Sequence, residues 1–201
     1  MRYQYVLASK SPRRQTLLKG LVAEFETIPS DADESLDKNV RPSKLVKILA
    51  KRKAEEVALR KENAGKIVIG ADTVVAYKNL ILGKPKDAAD AFRMLKVLSG
   101  EKHHVYTGVC FAYADGSGTV KTLVKSVASA VYFEKLTDEF IWEYIKSGSP
   151  MDKAGAYGIQ DGDLVKKMKG SYSNVVGLPL EYVQKIIRRI EENDGDEKSK
   201  K

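Results

Sequence analysis

The sequence has very little cysteine and histidine: Cys110, His103 and His104 are the only such side chains in its 201 residues. A lone cysteine excludes an internal disulfide and a structural zinc site built on several thiolates. Two adjacent histidines leave little scope for a histidine-ligated metal, so any metal is expected to be a hard divalent cation on oxygen ligands. From this cysteine usage we expect a cytoplasmic protein.

Long apolar segments are also missing from the sequence. No run approaches the roughly 20 residues of a transmembrane helix, and residues 1–10 do not resemble a signal peptide, so we expect no membrane contact. Apolar residues make up 43% of the chain and charged residues 31%, which indicates a folded globular protein. We predict a single domain over residues 1–190 and a charged, disordered tail over 191–201, which has no aliphatic side chain.

Positive charge is in excess but unevenly spread. The formal net charge is +8; residues 1–21 carry five basic and no acidic side chains, and residues 38–66 carry ten basic against three acidic ones. The acidic segment 22–37 lies between them. Such a distribution suits either nucleic acid or a small phosphorylated ligand. Because aromatic residues are not interleaved with the basic ones, a nucleic-acid-binding regulator is the less favoured alternative.

Alternating strand and helix patterns predict an α/β domain with a mixed sheet. The turn sequence Asp-Gly-Ser-Gly at 115–118 predicts a hairpin, which requires antiparallel strands. Ser11, Ser43, Asp87 and Thr137 are predicted helix N-caps. Strands are predicted at 3–8, 24–28, 67–77, 80–82, 105–113, 119–133 and 164–168.

Three charged side chains lie where fold alone would not place them. Asp72 interrupts the apolar strand 67–77, Lys53 falls within the apolar stripe of the helix after Ser43, and Lys84 lies in a stiff loop before a proline. Burying the carboxylate of Asp72 costs free energy unless it is paired or bound to a cation. A lysine in an apolar stripe, such as Lys53, either extends its ammonium to the surface or contacts an anion. Each position therefore allows a structural and a functional interpretation.

Residues 9–14 form a predicted strand–loop–helix junction. Unpaired N–H groups and the dipole at a helix N-terminus attract anions. Arg13 and Arg14 lie in the first turn, where positive charge is unfavourable, so a bound anion is the favoured interpretation and two solvated arginines the alternative. The acidic residues Asp31, Asp33 and Glu34 have no diagnostic ligand spacing, so they form either a metal-binding group or a solvated loop.

Residues 7–18, LASKSPRRQTLL, resemble the opening signature LASxSPRRxxLL of the Maf family, whose members are nucleoside triphosphate pyrophosphatases. The resemblance covers residues 5 to about 190. Further matching segments lie at 70–75, 83–85, 98–107, 152–160 and 170–179.

This resemblance implies an inosine-triphosphatase-like fold, with an elongated mixed sheet flanked by helices around a central cleft. It also implies a homodimer that hydrolyses a nucleoside triphosphate to the monophosphate and pyrophosphate with Mg²⁺, Mn²⁺ or Co²⁺. The sequences AGAYGIQ and SYSNVVGLPL are similar to those of the branch acting on dTTP, UTP and modified pyrimidine nucleotides. Activity on 7-methyl-GTP or another non-standard nucleotide is the alternative. Asp161 departs from the family, which usually has glycine after Gln160.

The resemblance also implies a role for each candidate site residue. Ser9, Arg13 and Arg14 are expected to bind the triphosphate at the helix N-terminus. Gln160 is expected to contact the base, because an amide offers both a donor and an acceptor.

The catalytic set implied by the resemblance is Asp72, Glu34, Lys53 and Lys84. The two lysines are expected to neutralise the triphosphate from the other wall of the cleft. Glu34 and Asp72 are expected to hold the metal and to orient the attacking water, with Asp72 as the first choice for the general base.

Overall fold

The computed structural model describes residues 3–35 and 40–198, and seven strands in this part form one mixed sheet. The strand order is β2–β1–β3–β5–β6–β7, with β4 paired to β3. Parallel pairing joins β2, β1 and β3, and the other pairs are antiparallel, which confirms the predicted mixed sheet. The strands are β1 (Tyr5–Ala8), β2 (Glu26–Thr27), β3 (Ile67–Tyr77), β4 (Leu80–Leu82), β5 (Lys102–Ala114), β6 (Val120–Phe133) and β7 (Val165–Lys169).

Helices flank the sheet, and three of the four predicted N-caps are confirmed by their hydrogen bonds. Ser11, Asp87 and Thr137 each accept from a backbone N–H three residues later. The prediction of Ser43 was wrong: Arg41 is the N-cap and Pro42 begins the helix, because proline loses nothing by lacking an N–H in the first turn. The helices are α1 (Pro12–Lys19), α2 (Pro42–Ala58), α3 (Ala88–Leu98), α4 (Asp138–Lys146), α5 (Tyr172–Val176) and α6 (Leu180–Lys198).

The last helix extends further than the sequence pattern indicated. Helix α6 continues to Lys198, past the tail boundary expected at residue 191. Residues 199–201 lie outside the described part, and the division into a domain and a tail stays a prediction. Among the described residues, no helix has the length and apolarity needed to cross a membrane.

Helix α2 lies unusually close to the central strands. A Cβ atom on Gly108 of β5 would come within 2.0 Å of the Val46 carbonyl oxygen, and one on Gly70 of β3 within 2.5 Å of the Ala50 oxygen. Only glycine at these two positions permits such contact between backbones. The helix contributes small buried residues, including Ala50 and Ala54, to this interface. Close packing fixes the height of α2 above the sheet, and therefore the position of the side chains it carries.

Candidate active site

A cleft of about 660 Å³ opens between the N-terminus of α1, helix α2, strand β3 and the loop 152–160. All eight side chains predicted for the site line this one cleft, although they come from segments spread over most of the chain. They are Ser9, Arg13, Arg14, Glu34, Lys53, Asp72, Lys84 and Gln160.

Lys53 and Asp72 form the buried centre of the cleft. The Lys53 Nζ donates to Asp72 Oδ1 at 2.7 Å and lies 2.9 Å from Glu34 Oε1. The side chains of Lys53 and Asp72 are only 13% and 11% exposed, whereas that of Glu34 is 64% exposed. Lys53 therefore does not snorkel to the surface, and the cost of burying the Asp72 carboxylate is offset by its pairing with the ammonium.

The same two carboxylates fit the requirements of a divalent cation that is bound together with a phosphate. The carboxylates of Glu34 and Asp72 both contact the Lys53 ammonium, so their oxygens lie close together around one positive charge. The described residues contain no cluster of three or more carboxylate, histidine or cysteine side chains. Mg²⁺ typically takes one or two protein carboxylates and fills its remaining positions with substrate phosphates and water. The donor set is therefore suited to a metal that arrives with its substrate.

Arg14 is held rigidly by neutral partners. Its Nε donates to the Gly177 carbonyl at 2.8 Å, Nη1 to Ser9 Oγ at 3.3 Å and Nη2 to Thr73 Oγ1 at 3.0 Å. Burial lowers the pKa of Arg14 from its ordinary value. The described residues thus use three of the five N–H donors of the guanidinium and leave one on each terminal nitrogen. Two N–H donors of Arg14 therefore remain for an anion.

A chain of hydrogen bonds through Thr73 and Thr107 holds Arg14 in place. The Thr107 hydroxyl donates to the Asn174 carbonyl at 2.8 Å, and Thr107 Oγ1 lies 3.0 Å from Thr73 Oγ1. Because Thr107 has already used its only proton, Thr73 must donate to Thr107 and accept from Arg14. The threonine after the candidate general base is therefore oriented to hold the arginine. The sequence prediction did not assign Thr73 this role.

Arg13 differs from Arg14 in being paired with a carboxylate. Its Nη1 donates to Asp152 Oδ2 at 2.8 Å and its Nη2 to the Asp152 carbonyl at 3.1 Å. Burial acts to raise the pKa of Asp152, but the bonds from Arg13 and Lys153 prevail and lower it. The unfavourable charge of Arg13 in the first turn is thus compensated by Asp152 within the protein. The sequence prediction assigned no role to Asp152 and Lys153, although both lie in the segment 152–160 that resembles the family.

Lys84 and Gln160 line the cleft without hydrogen bonds to other described residues. The loop of Lys84 is fixed to the opposite wall, because the Gly155 N–H donates to the Gly83 carbonyl at 2.9 Å. Both side chains are therefore accessible to a ligand on a backbone that is held in place.

The other acidic and nucleophilic candidates lie outside the cleft. Asp31 pairs with Arg60 at 3.3 Å and Asp33 bonds to Ser35, so neither joins Glu34 in a metal-binding group. His103 is buried and lies 2.8 Å from the Tyr157 hydroxyl, so it has a structural role in the core. Burial lowers the pKa of His103 to about 4 and raises that of Cys110 to about 12.

Comparison with known proteins gives a consistent family. A family model described as Maf-like protein matches residues 4–190. A dTTP/UTP pyrophosphatase of Agathobacter rectalis is 46% identical over 200 residues, covering 93% of this chain and 97% of the relative. One of Geotalea uraniireducens is 48% identical over 187 residues, covering 92% and 94%. A solved HAM1 protein from Coxiella burnetii matches 93% of this chain and 99% of its own chain, with 14% sequence identity and a TM-score of 0.47.

Proposed function

The chain belongs to the family of Maf-like proteins, and on that premise we propose that it hydrolyses dTTP and UTP to the monophosphate and pyrophosphate. The observation that carries the proposal is the buried pair of Lys53 and Asp72 at 2.7 Å in a cleft that also contains the predicted arginines. An ion pair with a purely structural role would not explain why the same cleft is also lined by Arg13, Arg14, Lys84 and Gln160.

The triphosphate is expected to bind at the N-terminus of α1. Arg14 offers two free N–H donors there, and the Ser9 hydroxyl and the Arg13 backbone N–H add neutral donors, since Pro12 has no N–H and the Arg14 backbone N–H is bonded to Ser11. Lys84 supplies positive charge from the facing loop. Phosphoryl transfer depends mainly on alignment and on neutralising the developing charge, so this set of donors supplies what the reaction needs without a covalent nucleophile.

We further propose that Asp72 and Glu34 hold a divalent cation, Mg²⁺ or else Mn²⁺ or Co²⁺. When bound, such a cation neutralises phosphate charge and makes a coordinated water easier to deprotonate. The carboxylate of Asp72 accepts the proton of the water that attacks the α-phosphorus, and pyrophosphate leaves. Lys53 keeps the Asp72 carboxylate oriented through the hydrogen bond to Oδ1. The amide of Gln160 contacts the edge of the pyrimidine base.

Two further expectations come from the sequence, the oligomeric state from the family resemblance and the compartment from the cysteine usage. We propose that the protein is a homodimer and that it acts in the cytoplasm. Light scattering of the purified protein tests the first, with a mass of one chain, 22.3 kDa, as the contradicting result.

The function is tested with a panel of nucleoside triphosphates in the presence of Mg²⁺ or Mn²⁺, with identification of the products. We expect dTTP and UTP to yield the monophosphate and pyrophosphate. Release of orthophosphate with a diphosphate, or no turnover, contradicts the proposal. Preference for 7-methyl-GTP would favour the alternative substrate class, and salt-sensitive oligonucleotide binding without hydrolysis would favour a nucleic-acid-binding protein.

A further inference from the structure

Asp161 is the centre of a hydrogen-bonded network behind the wall of the cleft. Its Oδ2 accepts from the Tyr144 hydroxyl at 2.6 Å and from the Ser149 hydroxyl at 2.6 Å, and it lies 3.5 Å from the Lys153 ammonium. These partners lie on α4, on the turn Ser149–Asp152 and on the following loop. One carboxylate oxygen therefore ties three separate segments together.

The network also holds the backbone of the loop that carries Gln160. The Tyr144 hydroxyl gives its only proton to Asp161 and so accepts from the Gly158 N–H at 3.0 Å. A Cβ on Gly158 would lie 2.7 Å from Asp161 Oδ2 and 2.8 Å from Lys153 Cε. Glycine at 158 is thus required by the close approach of the Asp161 carboxylate and the Lys153 stem.

Lys153 lines the cleft but is committed to protein acceptors. Its Nζ donates to the Ser149 carbonyl at 2.5 Å, to Ser149 Oγ at 2.8 Å and to Asp152 Oδ1 at 3.3 Å. An ammonium has three N–H donors, so these bonds leave none for a phosphate. The part of Lys153 in this site is therefore to link Asp161 to Asp152.

We propose that Asp161 is a positioning residue that fixes the loop 153–160 and thereby sets the backbone position from which the Gln160 side chain reaches the base. This inference rests on the proposed function. It adds that the fixed loop 153–160 is what allows the protein to discriminate between uracil-type and cytosine-type bases. The two bases exchange donor and acceptor at two positions of their edge, so a Gln160 side chain that reaches from a fixed backbone separates them better than one on a loosely held loop.

The charge state of Asp161 supports this role. Burial acts to raise its pKa, but the bonds from Ser149 and Tyr144 and the charge of Lys153 prevail and lower it. Asp161 is therefore an ionised acceptor at neutral pH. Asparagine at this position retains an oxygen for both hydroxyls and loses only the charge, whereas alanine removes all the bonds.

The test compares Asp161→Ala with wild type, and uses Asp163→Ala as a matched control on an exposed carboxylate of the same segment. Hydrogen–deuterium exchange of residues 153–161 without nucleotide is expected to be faster in Asp161→Ala alone. We expect its KM for dTTP to rise about 10-fold, with a smaller change in kcat, and its preference for dTTP over dCTP to fall about 10-fold. Asp161→Asn should restore most of both properties.

Unchanged exchange in Asp161→Ala overturns the positioning role, and an unchanged preference for dTTP over dCTP overturns the role in base discrimination. If Asp161→Ala does not fold, Tyr144→Phe removes two bonds of the same network, those to Asp161 and to the Gly158 N–H, and makes the same comparison. Failure of the proposed function is recognised separately, because wild type would then turn over neither nucleotide, while the exchange measurement needs no nucleotide and still decides the positioning role.

Discussion

Replacing Gly108 with alanine tests the backbone contact that places Lys53 beside Asp72. Gly108 pairs directly with Asp72 across β5 and β3. The added Cβ would lie 2.0 Å from the Val46 carbonyl oxygen and 2.4 Å from its carbonyl carbon. Lys53 lies on the same face of α2 as Val46, two helical turns later, so any displacement of α2 at Val46 moves the lysine as well.

The size of the effect follows from that clash. Carbon and oxygen approach each other to about 3.3 Å in close contacts between backbones, so helix and strand must separate by roughly 1 Å. Overpacking of a core in this way costs about 1–3 kcal/mol of the free energy of unfolding. A displacement of about 1 Å in a catalytic group costs on the order of 100-fold in turnover. We therefore expect Gly108→Ala to fold, to lose stability and to lose most of its activity.

Urea unfolding and the kcat for dTTP measure the two effects. Gly116→Ala is the matched control, because it makes the same chemical change in the hairpin turn, where an added Cβ has no atom within 4 Å. Wild-type stability and turnover in Gly108→Ala would refute the reasoning that this contact sets the geometry of the site. Equal losses in both variants would show that the effect comes from glycine flexibility rather than from the contact.

Three further predictions concern single side chains. Asp72→Asn should reduce turnover of dTTP by at least about 100-fold with an unchanged circular dichroism spectrum, and near-normal turnover would remove Asp72 as the general base. Thr73→Val should raise the KM for dTTP because Arg14 loses a partner, and Thr73→Ser should restore it; equal KM values in both variants would contradict this. Because burial holds the pKa of His103 at about 4, the unfolded chain binds a proton that the folded chain does not. The free energy of unfolding should thus fall by up to about 3 kcal/mol as the pH drops from about 6.5 to about 4, and urea titrations should show a smaller fall in His103→Gln.

The cleft residues that the sequence made visible are those that break a local pattern. Asp72 stands in an apolar strand and Lys53 in an apolar helical stripe, and periodicity alone makes both visible. Their pairing at 2.7 Å was not predictable from periodicity, because it depends on the distance between α2 and β3. That distance is set by Gly70 and Gly108, whose significance appears only when the helix is placed on the sheet.

The residues that the sequence prediction missed lie in a loop without periodicity. Asp152 and Lys153 have no repeating pattern against which an exception would be visible, and Asp161 stood out only as a departure from the family. Asp152 binds Arg13 of α1 and Asp161 binds Tyr144 of α4, contacts that depend on the fold. The wrong N-cap at Ser43 has a simpler cause, since the preference of Pro42 for the first helical position outweighed the preference of serine for the cap.

The charges of the cleft divide into two kinds, and this division indicates how a triphosphate binds. Lys53 and Arg13 already have carboxylate partners, so part of their charge is neutralised within the protein. Arg14 is held by a carbonyl and two hydroxyls, and neutral partners leave its full charge to the ligand. Because an unpaired charge attracts a ligand more strongly than a paired one, we expect Arg14 and Lys84 to be the principal anchors for phosphate. The paired groups then act near the reacting phosphorus, where a fixed position matters more than net charge.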